Sequence, residues 1–228
     1  MPHPFDSLYA AILDEDRAKV KEMLDNDPGL IRRGIAEERY ESGIAHWIYA
    51  GDSVLHVAAA GHRAEIARML LAVGADVGSA GNRRRSQPLH YAADGFLDSP
   101  SWDAARQVVM IRLLLKAGAR LDAQDRNGAT PLHRAVRTRC AAAVRCLLDE
   151  GADPTIRNKP GSTPFHLAVQ NTGRGGSGSE KARTAQREII RAFLERGVSS
   201  DLTDAKGKSV VEGAKSDWIH RMLAGHAD

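Results

Sequence analysis

Apolar residues come along this chain in pairs of short bursts, each pair closed by a glycine, and the pattern then starts again. The first burst is a run such as Val54-Leu55-His56-Val57-Ala58 or Pro131-Leu132-His133-Arg134-Ala135. In the second, apolar residues fall at helical spacing, as in Ile66, Met69 and Leu70 or Val144, Leu147 and Leu148. Gly74, Gly118 and Gly151 follow it, where a left-handed residue ends a helix. Thr130 and Thr163 stand where a side-chain oxygen accepts an amide hydrogen of the first turn. Pro88, Pro131 and Pro164 follow the capping place, where a missing N–H does no harm. Each unit therefore predicts two short helices and an extended turn.

The register is shared between units. From the histidine of the first burst to the last leucine of the second, the interval is 15 residues for His56 to Leu71 and for His133 to Leu148. It is 25 for His90 to Leu115 and 28 for His166 to Leu194, so these two units carry insertions of 10 and 13 residues at one equivalent place. The return from leucine to histidine takes 18 or 19 residues, except for 32 between Leu24 and His56. One helix pair cannot bury its apolar stripe alone, so the units must stack into a solenoid, an architecture that mostly binds rather than catalyses.

Composition sharpens this picture only in places. An apolar fraction of 43% supports a buried core, while 5% aromatics suits close-packed helices. No stretch approaches the ~20 apolar residues of a membrane helix, and Met1 to Asp6 lacks the features of a signal peptide, so a cytoplasmic protein without membrane contact is expected. Cys140 and Cys146, six residues apart, read as reduced, with Cys146 in the core beside Leu147. The net charge of +3 is mild, although 24 of the 32 basic residues are arginine.

The strings Thr130-Pro131-Leu132-His133-Arg134-Ala135, then Leu147-Leu148, then Gly151-Ala152-Asp153 resemble the hallmark of ankyrin repeats, without gaps from Asp125 to Asp153. The resemblance covers four internal repeats, roughly Ile48 to Asp201, and the chain as a whole resembles small stand-alone bacterial ankyrin-repeat proteins. It implies an all-α ankyrin-repeat solenoid in a single domain over 1–228. Residues 1–30 would form an N-terminal cap helix pair, 31–50 a long finger loop, 51–201 four full repeats and 202–228 a C-terminal cap. Extended loops are expected in the first finger and in the inter-helix turns of repeats 2 and 4. Ser209-Val210-Val211-Glu212 keeps the register at the last unit and forms a capping box. His62 and Arg139 replace the family's inter-helix glycine, and Gln87 and Val54 replace the threonine and proline.

The resemblance also assigns places. The repeated histidines look inward to the backbone of the next turn, too far apart at ~10 Å for shared metal coordination, so no metal and no cofactor are expected. Turn tips and first helices line the groove, which puts Tyr49, Arg83, Arg84, Arg126, Asn127, Lys159, Lys206 and Lys208 on its rim, with Arg137 extending it from a first helix. Four basic tips in succession would make a ridge about 30 Å long that attracts an acidic ligand. The competing reading is a solvated set of tips offset by Asp122, Asp125, Asp153 and Asp204. In the first finger, Tyr40, His46, Trp47 and Tyr49 either anchor a ligand or, through Trp47 and Ile48, cover the edge of the first full repeat. In the second repeat's insertion, Phe96 and Leu97 accompany Trp102, which either packs back on the helix or meets a partner. The Gly/Ser run 173–179 reads as a linker, with Arg174 as an anion contact.

These readings lead to a non-enzymatic, monomeric module that binds another protein, one with an acidic surface or segment, through its groove and basic finger tips. Two alternatives belong to other classes. Binding of nucleic acid or another polyanion along the ridge is weakened by the missing interleaved aromatics and the low total charge. An enzyme or phosphate-ligand binder using loop 173–179 lacks the lysine and the strand that a phosphate loop needs.

Overall fold

The computed structural model of the protein describes residues 4–99, 102–171 and 179–225. Six helix pairs follow one another among the described residues: α1 (Pro4–Leu13) and α2 (Arg17–Asn26), α3 (Val54–Ala60) and α4 (Ala64–Ala72), α5 (Pro88–Ala93) and α6 (Ala104–Lys116), α7 (Pro131–Arg137) and α8 (Ala141–Asp149), α9 (Pro164–Ala168) and α10 (Glu180–Leu194), and α11 (Val210–Gly213) and α12 (Asp217–Leu223). First helices stack in one row, α3 on α5 on α7 on α9, and second helices in another, α4 on α6 on α8 on α10. One continuous apolar cluster from Phe5 to Met222 fills the space between the rows. Leu70, Leu114 and Leu147 are fully buried in it, each contributing about 2 kcal/mol by removal from water.

Each finger turn is built the same way. Asn82, Asp125, Asn158 and Asp204 open successive tips, and a side-chain oxygen of each accepts backbone amides further round the turn, those of Ser86, Ala129, Ser162 and Lys208 at 2.9 to 3.1 Å. Neighbouring tips join through Arg126 N–H to the Arg84 carbonyl and Lys159 N–H to the Asn127 carbonyl, at 2.6 and 2.9 Å. The third residue after each opening Asx is left-handed, with φ 72° at Gly128, 94° at Gly161 and 76° at Gly207, but 52° at Arg85, where a side chain pays for the conformation.

The repeated histidines tie unit to unit. Nε2 of His56, His90, His133 and His166 faces the carbonyls of Ser86, Ala129, Ser162 and Lys208 at 2.9 to 3.1 Å. Their Nδ1 atoms meet the backbone N–H or hydroxyl of the capping residue, so both ring nitrogens are engaged. Burial holds His62 and His90 down to about 4 and lowers His56 and His133 too, which keeps these rings neutral.

The two insertions are partly helix. α6 has 13 residues and α10 has 15, against 9 in α4 and α8, because the added segments extend the second helices toward their N-termini. The same side chain secures each loop base. The Gln107 amide donates to the carbonyls of Ala92, Ala93 and Asp94 at 3.1 to 3.2 Å, and the Gln186 amide to those of Ala168 and Gln170 at 2.7 and 2.8 Å. Where the family has an inter-helix glycine, His62 and Arg139 adopt φ 53° and 61°. The cost is offset by reach, since His62 bonds the Ala92 carbonyl at 3.2 Å and Arg139 those of Ala168 and Gln170 at 3.1 and 2.9 Å.

The first finger corrects the expectation of a loop over 31–50. After a 3-10 turn (Pro28–Arg32), residues β1 (Arg39–Glu41) and β2 (His46–Ile48) pair as an antiparallel hairpin with Tyr40 opposite Trp47, the one sheet among the described residues. Charged and turn residues hid the alternation. The hairpin is held by contacts distant in sequence, as the Tyr9 hydroxyl donates to Glu41 at 2.6 Å and Arg39 lies 4.4 Å over the Tyr9 ring.

Candidate functional site

The hairpin leans across the first helices. Ile44 reaches Gly61 at the end of α3, and the His46 ring lies 4.7 Å from that of Tyr91 on α5. Tyr91 is thereby buried and donates its hydroxyl to Asp52 at 2.7 Å, while Asp52 also accepts from Asn82 and from the Tyr49 N–H, both at 2.7 Å. Burial together with the Asp52 charge pushes the Tyr91 phenol well above its usual range, so it stays a donor.

On α7 the place held by Val57, Tyr91 and Leu167 in the other units is taken by Arg134, which is 4% exposed. Its guanidinium donates to Asp94 at 3.0 Å, Asp125 at 2.8 Å and the Ser86 hydroxyl at 3.0 Å. Burial opposes ionisation of Asp94, yet the Arg134 charge and the His46 contact at 3.4 Å prevail and hold its carboxyl far below the usual range. Arg134 is likewise raised against its own burial by Asp94 and Asp125. The cluster ties the first helices of two units to a finger tip.

Between the hairpin and the loop after α5 lies a pocket of about 240 Å³, with Tyr40, Trp47, Phe96 and Trp102 on its walls and Asp94 and Arg134 among its lining. Trp102 packs its indole nitrogen against Gly95, where a Cβ would come within 2.6 Å of it and within 2.4 Å of the Cys140 sulfur. A wider depression of about 620 Å³ adjoins it over α7, lined by Asn127, His133, Lys159, Pro160 and Leu167. Arg84, Arg134 and Arg137 line both, so the two lie side by side across these side chains.

The residues singled out in sequence are thus divided. Arg84, Asn127, Arg137 and Lys159 gather at the wider depression, and Trp47, Phe96 and Trp102 at the pocket. Arg126 turns to another hollow with Arg85 and Arg157, and Lys206 lies exposed on the tip that follows. Arg174 lies outside the described residues. At the start of the row of basic tips, Arg83 pairs with Glu38 at 2.9 Å and lies 5.3 Å from the Tyr49 ring, while Arg84 donates to the Tyr49 hydroxyl. Among the counter-charges expected there, Asp125 and Asp204 serve the turns themselves. In the hairpin, Ile48 is fully buried over the first full repeat, whereas Trp47 stays half-exposed. Trp102 packs against the core, and Lys181 of α10 stands 6.0 Å over its ring.

Sequence reasoning passed over Arg134, Asp94 and Asp52, which organise the site. A signal existed for Arg134, an arginine at a place apolar in three sister units. For Asp52 and Asp94 no such comparison stands out, because their main partners, Asn82 and Tyr91 for one and His46 and Arg134 for the other, lie far off in sequence. Both cysteines are free and buried, and burial pushes the Cys140 thiol up to about 11.

Stacked helix pairs with protruding finger turns and a lined depression define a repeat scaffold of the kind that presents a surface to other molecules. The chain matches the family model for ankyrin repeats, with three copies over residues 102–204 and a further repeat over 50–82, and it belongs to the ankyrin repeat family. No curated protein matches the chain. Ankyrin repeats are generally protein–protein interaction modules, and among the described residues no helix is long and apolar enough to cross a membrane.

Proposed function

We propose that this protein binds a partner protein through the pocket and the wider depression, which act as one groove, with Arg84, Arg137 and Lys159 drawing in an acidic surface. The observation that carries this reading is that the two hollows lie side by side and share Arg84, Arg134 and Arg137 in their walls. Arg137 and Lys159 are exposed, so their charge reaches a ligand, although Arg137 also stands 3.8 Å from Asp94, whose other oxygen takes buried Arg134. Attraction between exposed charges of this kind speeds encounter and weakens as salt rises.

The test compares wild type with Arg137→Ala/Lys159→Glu and with the remote control Arg17→Ala. Proteins captured by wild type and by the control, but not by the double variant, are purified and titrated back at rising salt. Direct binding that weakens with salt and drops at least tenfold in the double variant supports the reading. Equal binding to all three forms refutes it, provided their melting temperatures agree.

A further inference from the structure

We infer that the pocket beneath the hairpin receives one aromatic side chain bearing a hydrogen-bond donor, a tyrosine or tryptophan, carried by an extended acidic segment that continues toward Lys159. This rests on the groove reading above and adds the chemistry and register of what the groove holds.

Size comes first. A cavity of ~150 Å³ accepts benzene, so about 240 Å³ suits one phenol or indole ring and little more. The walls are already apolar and presented to solvent: Tyr40, Trp47 and Phe96 are 49%, 50% and 52% exposed, large rings that a flat guest would cover.

Asp94 lines the pocket, and one of its oxygens, just beneath the surface, lacks a hydrogen bond. Asp94 is 7% exposed, and its Oδ1 accepts no hydrogen bond. Its Oδ2 takes Arg134, while the nearest Arg137 nitrogen stands 3.8 Å from Oδ1, beyond hydrogen-bond reach. A buried carboxylate oxygen left this way gains from any donor brought to it. A phenol O–H or indole N–H brings one together with a ring. Phenylalanine or leucine fills the space without it, and a phosphate meets a like charge.

Direction follows from the cations. Arg84 and Arg137 stand at the junction of the two hollows and Lys159 lies one unit on. Units repeat at roughly 10 Å and an extended chain advances about 3.3 Å per residue, so acidic residues at three-residue spacing meet successive cations.

A fluorescein-labelled peptide with one tyrosine followed by three glutamates at that spacing in a Gly/Ser background tests this by anisotropy. Replacing its tyrosine by tryptophan should keep binding, by phenylalanine should weaken it about fivefold, and by alanine at least thirtyfold. Trp47→Ala/Phe96→Ala should remove the difference between the tyrosine and alanine peptides, with hydrogen exchange confirming that the helix pairs stay folded. Equal binding of tyrosine and alanine peptides, with salt dependence intact, overturns the pocket assignment and leaves the groove reading standing. Stronger binding when the peptide's tyrosine is replaced by phosphotyrosine overturns it in favour of an anion site. No binding by any peptide of the panel overturns it as well, and loss of protein capture by Arg137→Ala/Lys159→Glu then decides separately whether the groove reading survives.

Discussion

The first two full repeats and the two that follow share a fold and turn the same face to the groove, but with opposite exposure. In the first two, the places just after the histidine and one turn further on hold Val57 with Ala60 and Tyr91 with Asp94, all buried. In the next two they hold Arg134 with Arg137 and Leu167 with Gln170, where Arg137 and Gln170 are exposed and Leu167 is half-buried. The difference is the hairpin: α3 and α5 are covered by the chain's own first finger, while α7 and α9 remain open. A binding surface in a repeat protein is thus set by where the stack is covered as much as by which residues line it.

The sharpest way to break this contrast is Arg134→Leu. Two buried carboxylates, Asp94 and Asp125, would lose their common cation, and removal of one partner from such a cluster costs about 3 to 5 kcal/mol. Urea unfolding should show that loss, together with faster hydrogen exchange in the hairpin. A smaller cost would mean that the cluster does not join the covered half to the open half.

Leu147→Ala serves as the comparison within the open half. It removes a fully buried side chain and should cost about 2 to 4 kcal/mol, with pocket binding unaltered. Loss of peptide binding at unchanged stability would show that the two halves are coupled beyond packing.

Acid should act through the buried rings. His62 and His90 titrate near 4 when folded and near 6.5 in their ordinary state, so between those values the unfolded chain binds more protons. The stability they confer is therefore fully present above about pH 6.5 and is lost as pH falls toward 4. Melting temperatures measured from pH 7.5 to 4.5 should drop steadily through this window. A flat profile there would contradict neutral burial of these imidazoles.

Gly95→Ala probes the pocket wall. The added methyl collides with Trp102 and Cys140 and should cost about 1 to 3 kcal/mol, while moving the Trp102 fluorescence and weakening the tyrosine peptide. The smallest effect is expected at Arg85→Gly, which relieves a left-handed side chain and should stabilise by about 0.5 to 1 kcal/mol without touching binding. A loss of stability instead would show that the Arg85 side chain holds its finger.

Much of this was legible in the residues. The histidine spacing placed the helix pairs, and Thr130, Thr163 and Pro131 marked the helix starts seen at α7 and α9. The longer intervals after His90 and His166 located both insertions. The gathering of Trp47, Phe96 and Trp102 with Arg84 and Arg137 was not legible. Trp47 is separated by about fifty residues from Phe96 and Trp102, and a two-stranded hairpin of three-residue strands has no stability of its own to announce it.

By itself, the sequence determined the repeat, its register and the inward histidines, because each follows from local spacing that every unit must satisfy to bury its stripe against the next. Tertiary structure alone decided which part of the groove is closed, which arginines are spent on buried carboxylates and where the pocket lies. Those outcomes depend on where the first finger comes to rest, and contacts such as Tyr9 with Glu41 and His46 with Asp94 join residues that no local pattern relates.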